Sequence, residues 1–252
     1  MSAYNISGGS ATTIFHFDGG KALRGRGIDG SIVLTCAANV LGSFSILGDS
    51  YSTFKGYLTP DTNTSWYPTD GTYGDGNDVT AVEQTWWHIF KEQYALPLAI
   101  NNSYSGSTVC YDGYGDGTTD GKATSFIQRA GSLGSPGLIF VFGGTNDAWV
   151  PAEQGEYKYT DISEADLSYF RPALAYLLNS IKTKHPTAAL VFILNHAITP
   201  SFKESAKTIC EHMSVPCVEL NNIAMTGGHP NSAGMVTLSN QVINFMDKLS
   251  SV

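Results

Sequence analysis

A three-layer α/β/α architecture of flavodoxin type, built on a mostly parallel five-stranded sheet, is the fold class this sequence predicts. Three observations carry the prediction. Apolar runs of strand length recur at Phe44–Leu47, Leu96–Ile100, Leu138–Phe142, Ala189–Leu194 and Cys217–Leu220. These runs are near-continuous rather than alternating, as a parallel sheet buried on both faces requires. Helical patterns with capping residues lie between them, and strands alternating with helices build an α/β sheet.

Taken in order, residues 1–40 read as a β-rich extension and 41–252 as the main domain. In the extension, Thr12 to Phe17 alternates loosely like a strand and Gly19-Gly20 breaks it. The first core strand, Phe44–Leu47, stops at Gly48-Asp49-Ser50. Thr80 and Glu83 form a capping-box pattern ahead of Val82, Trp86, Ile89 and Phe90. Ser163 is placed to open a helix carrying Leu167, Phe170, Leu174 and Leu177. Thr199-Pro200 starts another, with proline at the first helical position. The last helix runs from about Asn231 to Leu249, with Met235, Leu238, Val242 and Phe245 on one face.

Composition narrows the partners. The chain has 252 residues, 42% of them hydrophobic, which is enough to bury one large core. Its net charge is −8 and no Lys/Arg cluster occurs, which argues against nucleic acid or an anionic membrane. No apolar run reaches the ~18 residues of a membrane-spanning helix. Cys36, Cys110, Cys210 and Cys217 include no close pair of the kind that binds zinc, and the last two read as free thiols, with a bridge between them as the alternative. The N-terminus lacks a signal peptide. The low Lys and Arg content and the Gly-, Tyr- and Trp-rich loops point to a secreted or periplasmic protein whose export signal is absent from this chain. A cytoplasmic location is the alternative.

Chemistry gathers at the strand ends. Ser50 follows the first strand; Gly106, which offers an unobstructed backbone N–H, follows the second; Asn146, in Gly143-Gly144-Thr145-Asn146-Asp147, follows the third. His229, in Gly227-Gly228-His229-Pro230, follows the fifth. In an open α/β sheet all four converge on one edge. A serine nucleophile, an imidazole base and N–H donors for an oxyanion are what acyl transfer requires, with no metal and no cofactor. Two glycine- and aspartate-rich segments, Asp70–Gly76 and Asp112–Gly117, leave the same edge. They read as a calcium loop, a sugar-binding rim or ordinary loops. Of the other histidines, His88, His185 and His212 sit in helical patterns, His196 lies near the rim, and His16 has no evident partner.

These motifs, in this order, resemble the GDSL/SGNH hydrolase family from roughly Phe44 to Val252. The resemblance implies that Ser50 is the nucleophile, that Gly106 and Asn146 complete the oxyanion hole with the N–H of Ser50, and that His229 is the base. It also implies an aspartate three residues before the histidine, where this chain has Thr226. The orienting group then falls to a carbonyl around Met225–Gly227, the Thr226 hydroxyl or Glu219. The expected substrate is a small-molecule or glycan ester with a small acyl group, plausibly acetyl. Trp66, Tyr67, Tyr73, Tyr111, Tyr114 and Trp149 fall on rim loops suited to stacking on sugars, and Tyr51, Tyr114 and Trp149 are the candidate substrate contacts. A lysophospholipase- or thioesterase-like acylhydrolase and a non-catalytic glycan-binding relative are the alternatives.

Overall fold

The computed structural model describes residues 3–6, 12–15, 42–68, 76–112 and 121–249. Two strands, β1 (Ala3–Ile6) and β2 (Thr12–Phe15), pair antiparallel near the N-terminus. Tyr73, Tyr114, Cys36, His16, most of the Asp70–Gly76 and Asp112–Gly117 segments, and most of the extension expected over 1–40 lie outside the described residues.

The main sheet holds β3 (Phe44–Gly48), β4 (Leu98–Ser103), β5 (Leu138–Phe142), β6 (Ala189–Leu194) and β7 (Cys217–Glu219). Its order is β4-β3-β5-β6-β7 and every neighbouring pair is parallel. This is the flavodoxin order, whose topological switch lies between the first and third strands. The C-terminal ends of β3 and β5 therefore flank the crevice where ligands bind.

Successive side chains of β5 and β6 enter opposite cores. Phe140, Phe142, Val191 and Ile193 pack in one with Trp86, Phe90, Met235 and Leu238, from α1 (Trp86–Tyr94) and α7 (Ser232–Leu249). Ile139, Val141, Leu190 and Phe192 pack in the other with Leu174, Leu177, Ala206 and Ile209, from α5 (Phe170–Lys184) and α6 (Pro200–His212). Full burial of each such side chain contributes roughly 1.5–3 kcal/mol of transfer free energy. The shorter helices are α2 (Gly121–Thr124), α3 (Phe126–Arg129) and α4 (Thr145–Trp149).

Three local expectations differ. The strand expected at Leu96–Ile100 begins at Leu98 and continues through Asn101-Asn102-Ser103. Those polar side chains are buried yet bonded: Asn101 Nδ2 donates to Ser52 O at 2.9 Å, Ser103 Oγ to Asn101 Oδ1 at 2.6 Å, and Asn102 Nδ2 to Arg129 O at 3.2 Å. The α1 cap is Thr85, whose Oγ1 accepts from His88 N, and it is the Gln84 side chain rather than Glu83 that takes the Thr80 and Ala81 N–H groups. Ser163 opens only a short turn, and extended Tyr169 separates that turn from α5.

Candidate active site

Gly48 ends β3 because a side chain there would collide with its neighbours: a Cβ would lie 2.6 Å from Ser103 Oγ and 2.8 Å from Ser52 Cβ. The chain then enters a single helical turn, Ser50–Ser52, capped by Asp49, whose Oδ1 accepts from Tyr51 N at 3.0 Å. Ser50 sits at the head of this turn, only 3% exposed.

His229 reaches it from the far end of the chain. Its Nε2 lies 2.8 Å from Ser50 Oγ, and its Nδ1 lies 3.1 Å from the carbonyl oxygen of Gly227. A carbonyl can only accept, so Nδ1 carries the ring proton and Nε2 presents its lone pair to the serine hydroxyl. This is the tautomer a general base needs. The other two orienting candidates are engaged elsewhere. The Thr226 hydroxyl accepts from Asn231 Nδ2 at 3.2 Å, and Glu219 pairs with Lys207 at 2.9 Å and Lys203 at 3.5 Å. Of the three candidates, the carbonyl of Gly227 is the one within hydrogen-bond distance of Nδ1, and the Thr226 and Glu219 side chains are not bonded to the ring.

Side chains from the first third of the chain hold the histidine loop. Tyr51 Oη donates to Gly228 O at 2.7 Å and Tyr67 Oη to Pro230 O at 2.6 Å. Asn77 Nδ2 faces the carbonyls of Thr226, His229 and Pro230 at 3.3, 3.4 and 3.1 Å. Asp78 takes both the N–H and the hydroxyl of Ser232 at the start of α7, which holds its carboxyl below the usual range. Tyr51, expected among the substrate contacts, is thus buried beneath the loop.

The remaining donors meet at the same edge. Asn146 lies in the first turn of α4, which Gly144 opens at φ +88°, a conformation that favours glycine. One N–H of the Asn146 amide donates to Ser107 O at 2.8 Å, tying this turn to the loop after β4. Among the described residues the backbone N–H groups of Ser50 and Gly106 donate to no protein acceptor. Trp149 is 39% exposed, with its ring 6.1 Å from that of His229. Trp66 and Tyr67, expected on the rim, are buried instead, and Trp66 lies flat against the imidazole. Tyr111 is half-buried, its hydroxyl accepting from Gln128. His196 follows β6 with its Nδ1 buried and unbonded, and it makes no hydrogen bond to Ser50 or His229.

Below the serine lies a set of charges that sequence reading passed over. Asp49 is fully buried and its carboxyl is pushed up to about 7, chiefly by loss of hydration; the Tyr51 N–H, the neighbouring Thr145 hydroxyl and Arg129 pull the other way. Its Oδ2 has no partner of hydrogen-bond geometry among the described residues. Arg129 donates to the carbonyls of Thr124, Asn102 and Gly48 and to Ser107 Oγ, and burial pulls it down to about 9. Asp147 accepts from Val109 N and Cys110 N at 2.9 and 3.1 Å, while burial pushes its carboxyl up. An interior arginine leaves no sequence signal, because arginine is ordinarily a surface residue.

Asp49 carries a pH prediction. Its folded pKa stands above its unfolded one, so the native state binds more protons between them. Stability is therefore full near pH 4 and falls as pH rises through about 7. Asp49→Asn keeps the Oδ1 acceptor and removes the charge. Its stability relative to wild type should rise between pH 5 and pH 8 by on the order of a few kcal/mol, read as a widening gap between the melting temperatures of the two proteins. Parallel melting curves at the two pH values would refute this.

Among the described residues no group of three His, Cys, Asp or Glu side chains is placed to hold a metal ion, and no helix is long and apolar enough to cross a membrane. Cys110, Cys210 and Cys217 are free.

Comparison with known proteins places this geometry. No curated protein sequence matches the chain. A structure from Bacteroides ovatus described as a GDSL-like lipase is 45% identical, covers 82% of this chain and 98% of its own, and superposes with a TM-score of 0.77. One from Bacteroides uniformis, described in the same way, is 44% identical, with coverage of 80% and 93% and a TM-score of 0.77. An active-site mutant of a family two carbohydrate esterase from Clostridium thermocellum shares the fold at 11% identity, with coverage of 80% and 62% and a TM-score of 0.55. The family model of GDSL-like lipases and acylhydrolases matches residues 42–246, and the chain belongs to that family of ester hydrolases.

Proposed function

We propose that this chain is a serine esterase that removes a small acyl group, acetyl foremost, from a carbohydrate. The observation that carries the reading is the Ser50–His229 pair, 2.8 Å apart, with the ring's other nitrogen on the Gly227 carbonyl. His229 Nε2 takes the hydroxyl proton as Oγ attacks the ester carbonyl. The N–H groups of Ser50 and Gly106 and the second N–H of Asn146 stabilise the oxyanion. The imidazolium then gives its proton to the departing alcohol, and water repeats the sequence on the acyl-enzyme. Residues 41–252 would form the catalytic domain.

Support for a small acyl group comes from the aromatic rings gathered around His229, with those of Tyr51, Trp66 and Trp149 centred 5.2, 3.7 and 6.1 Å from its own. Support for a sugar alcohol is the exposed indole of Trp149 beside the pair, a face suited to stacking on a pyranose. The test compares p-nitrophenyl acetate, butyrate and octanoate, then acetylated xylan and acetylated monosaccharides. The reading expects kcat/KM to fall with acyl length and acetate to be released from the acetylated sugars. A preference for octanoate would favour a lysophospholipase- or thioesterase-like enzyme. No turnover at all would favour a glycan-binding relative.

A further inference from the structure

The catalytic pair creates a charge that its orienting group answers only in part. When Oγ gives up its proton the imidazole becomes a full cation, whereas the Gly227 carbonyl opposite Nδ1 is a neutral dipole. Among the described residues several rings surround the imidazole, and one of them lies face to face with it. The indole of Trp66 is stacked on it, with centroids 3.7 Å apart and planes 7° from parallel. Both rings are nearly out of solvent, Trp66 at 7% and His229 at 8% exposure. A cation on an aromatic face is attracted by the ring's quadrupole, most strongly for tryptophan and where water is excluded.

The indole is set by the nucleophile's own turn. Thr53 Oγ1 donates to Ser50 O at 2.8 Å and accepts from Trp66 N at 2.8 Å. Tyr67 packs its ring against Trp66, 4.5 Å away at 79°, and bonds the residue that follows the histidine. One hydroxyl thus ties the backbones of Ser50 and Trp66 together, and the imidazole meets the side chains of both. We propose that Trp66 is a positioning residue whose indole face stabilises the His229 cation during proton transfer, taking up the charge that an aspartate answers in a three-residue relay. The inference rests on the Ser50–His229 reading of the site.

Space-filling and charge stabilisation are separated by changing the ring's electrons without changing its shape. Tryptophan and mono-, di- and trifluorotryptophan are introduced at position 66 by nonsense suppression. Two quantities are read: kcat and KM on p-nitrophenyl acetate, and the titration of His229 by NMR without substrate. Fluorine withdraws density from the face, so the cation loses stabilisation and the His229 midpoint moves to lower pH. Across the series kcat should fall by about two- to thirtyfold at constant KM. Trp66→Phe, which keeps a smaller face, should retain more activity than Trp66→Leu.

Among the described residues, the other titratable groups around the ring are the hydroxyls of Tyr51 and Tyr67, each donating to a carbonyl of the histidine loop. Asp78 is bonded to Ser232, and the carboxyl of Asp49, beneath Ser50, is pushed up to about 7. The titration is therefore repeated in the Asp49→Asn background. A midpoint that stays fixed across the series overturns the proposal, even if Trp66→Leu is inactive. A midpoint that falls while kcat holds overturns it as well. If Ser50→Ala hydrolyses ester at the wild-type rate, the reading of the site fails on that measurement alone and the catalytic role of Trp66 fails with it; the titration, which needs no turnover, still reports the contact.

Discussion

Ser50→Ala should lower kcat by at least about 10⁴-fold while the melting temperature stays within a few degrees of wild type. In the proposed mechanism the hydroxyl is the group that attacks; its hydrogen bond is to His229 Nε2, so its loss leaves the helical turn and its Asp49 cap in place. His229→Ala should cost as much, because neither residue works without the other. The double variant should be no slower than either single one, since groups that act as a unit lose their effect together. Initial rates on p-nitrophenyl acetate and a melting curve check all three. Residual turnover above ~1% in Ser50→Ala would remove the serine from the reaction.

Asn146→Ala comes second, with an expected fall in kcat of roughly 10²–10³ at nearly constant KM. The asymmetry follows from where the amide points. One N–H is committed to Ser107 O, which fixes the side chain, and in the proposed mechanism the other meets charge that develops only as the tetrahedral intermediate forms. Truncation also leaves the buried Ser107 carbonyl without this donor, at about 1–3 kcal/mol, so the melting temperature is measured beside the rates. A change confined to KM would make Asn146 a substrate-binding residue instead.

What could be read in advance follows from physics. β5 and β6 end where their apolar runs end, because both faces of those strands are buried and apolar. β4 was displaced because Asn101, Asn102 and Ser103 satisfy their polar groups inside the protein, and a hydrophobicity pattern is blind to that. Ser50 and His229 were legible because short motifs at strand ends imply convergence on one edge. Trp66 and Asn77 were not. Whether an aromatic residue on a loop faces solvent or lies on an imidazole depends on tertiary packing, and composition pointed the wrong way.

The tethers on the histidine loop also bear on when activity arises. Tyr51 bonds a residue 177 positions later in the chain, Tyr67 one 163 later and Asn77 one 153 later. Contacts so distant in sequence form after local ones, since closing a long loop must precede any reward from it. During vectorial synthesis the sheet strands and Ser50 emerge first, while His229 and α7 leave the ribosome after all the other elements described here. On the proposed mechanism, a nascent chain then carries Ser50 without the histidine that would activate it. Hydrolytic competence would arrive in a single late step, when the C-terminal segment docks onto side chains that have been waiting since the first third of translation.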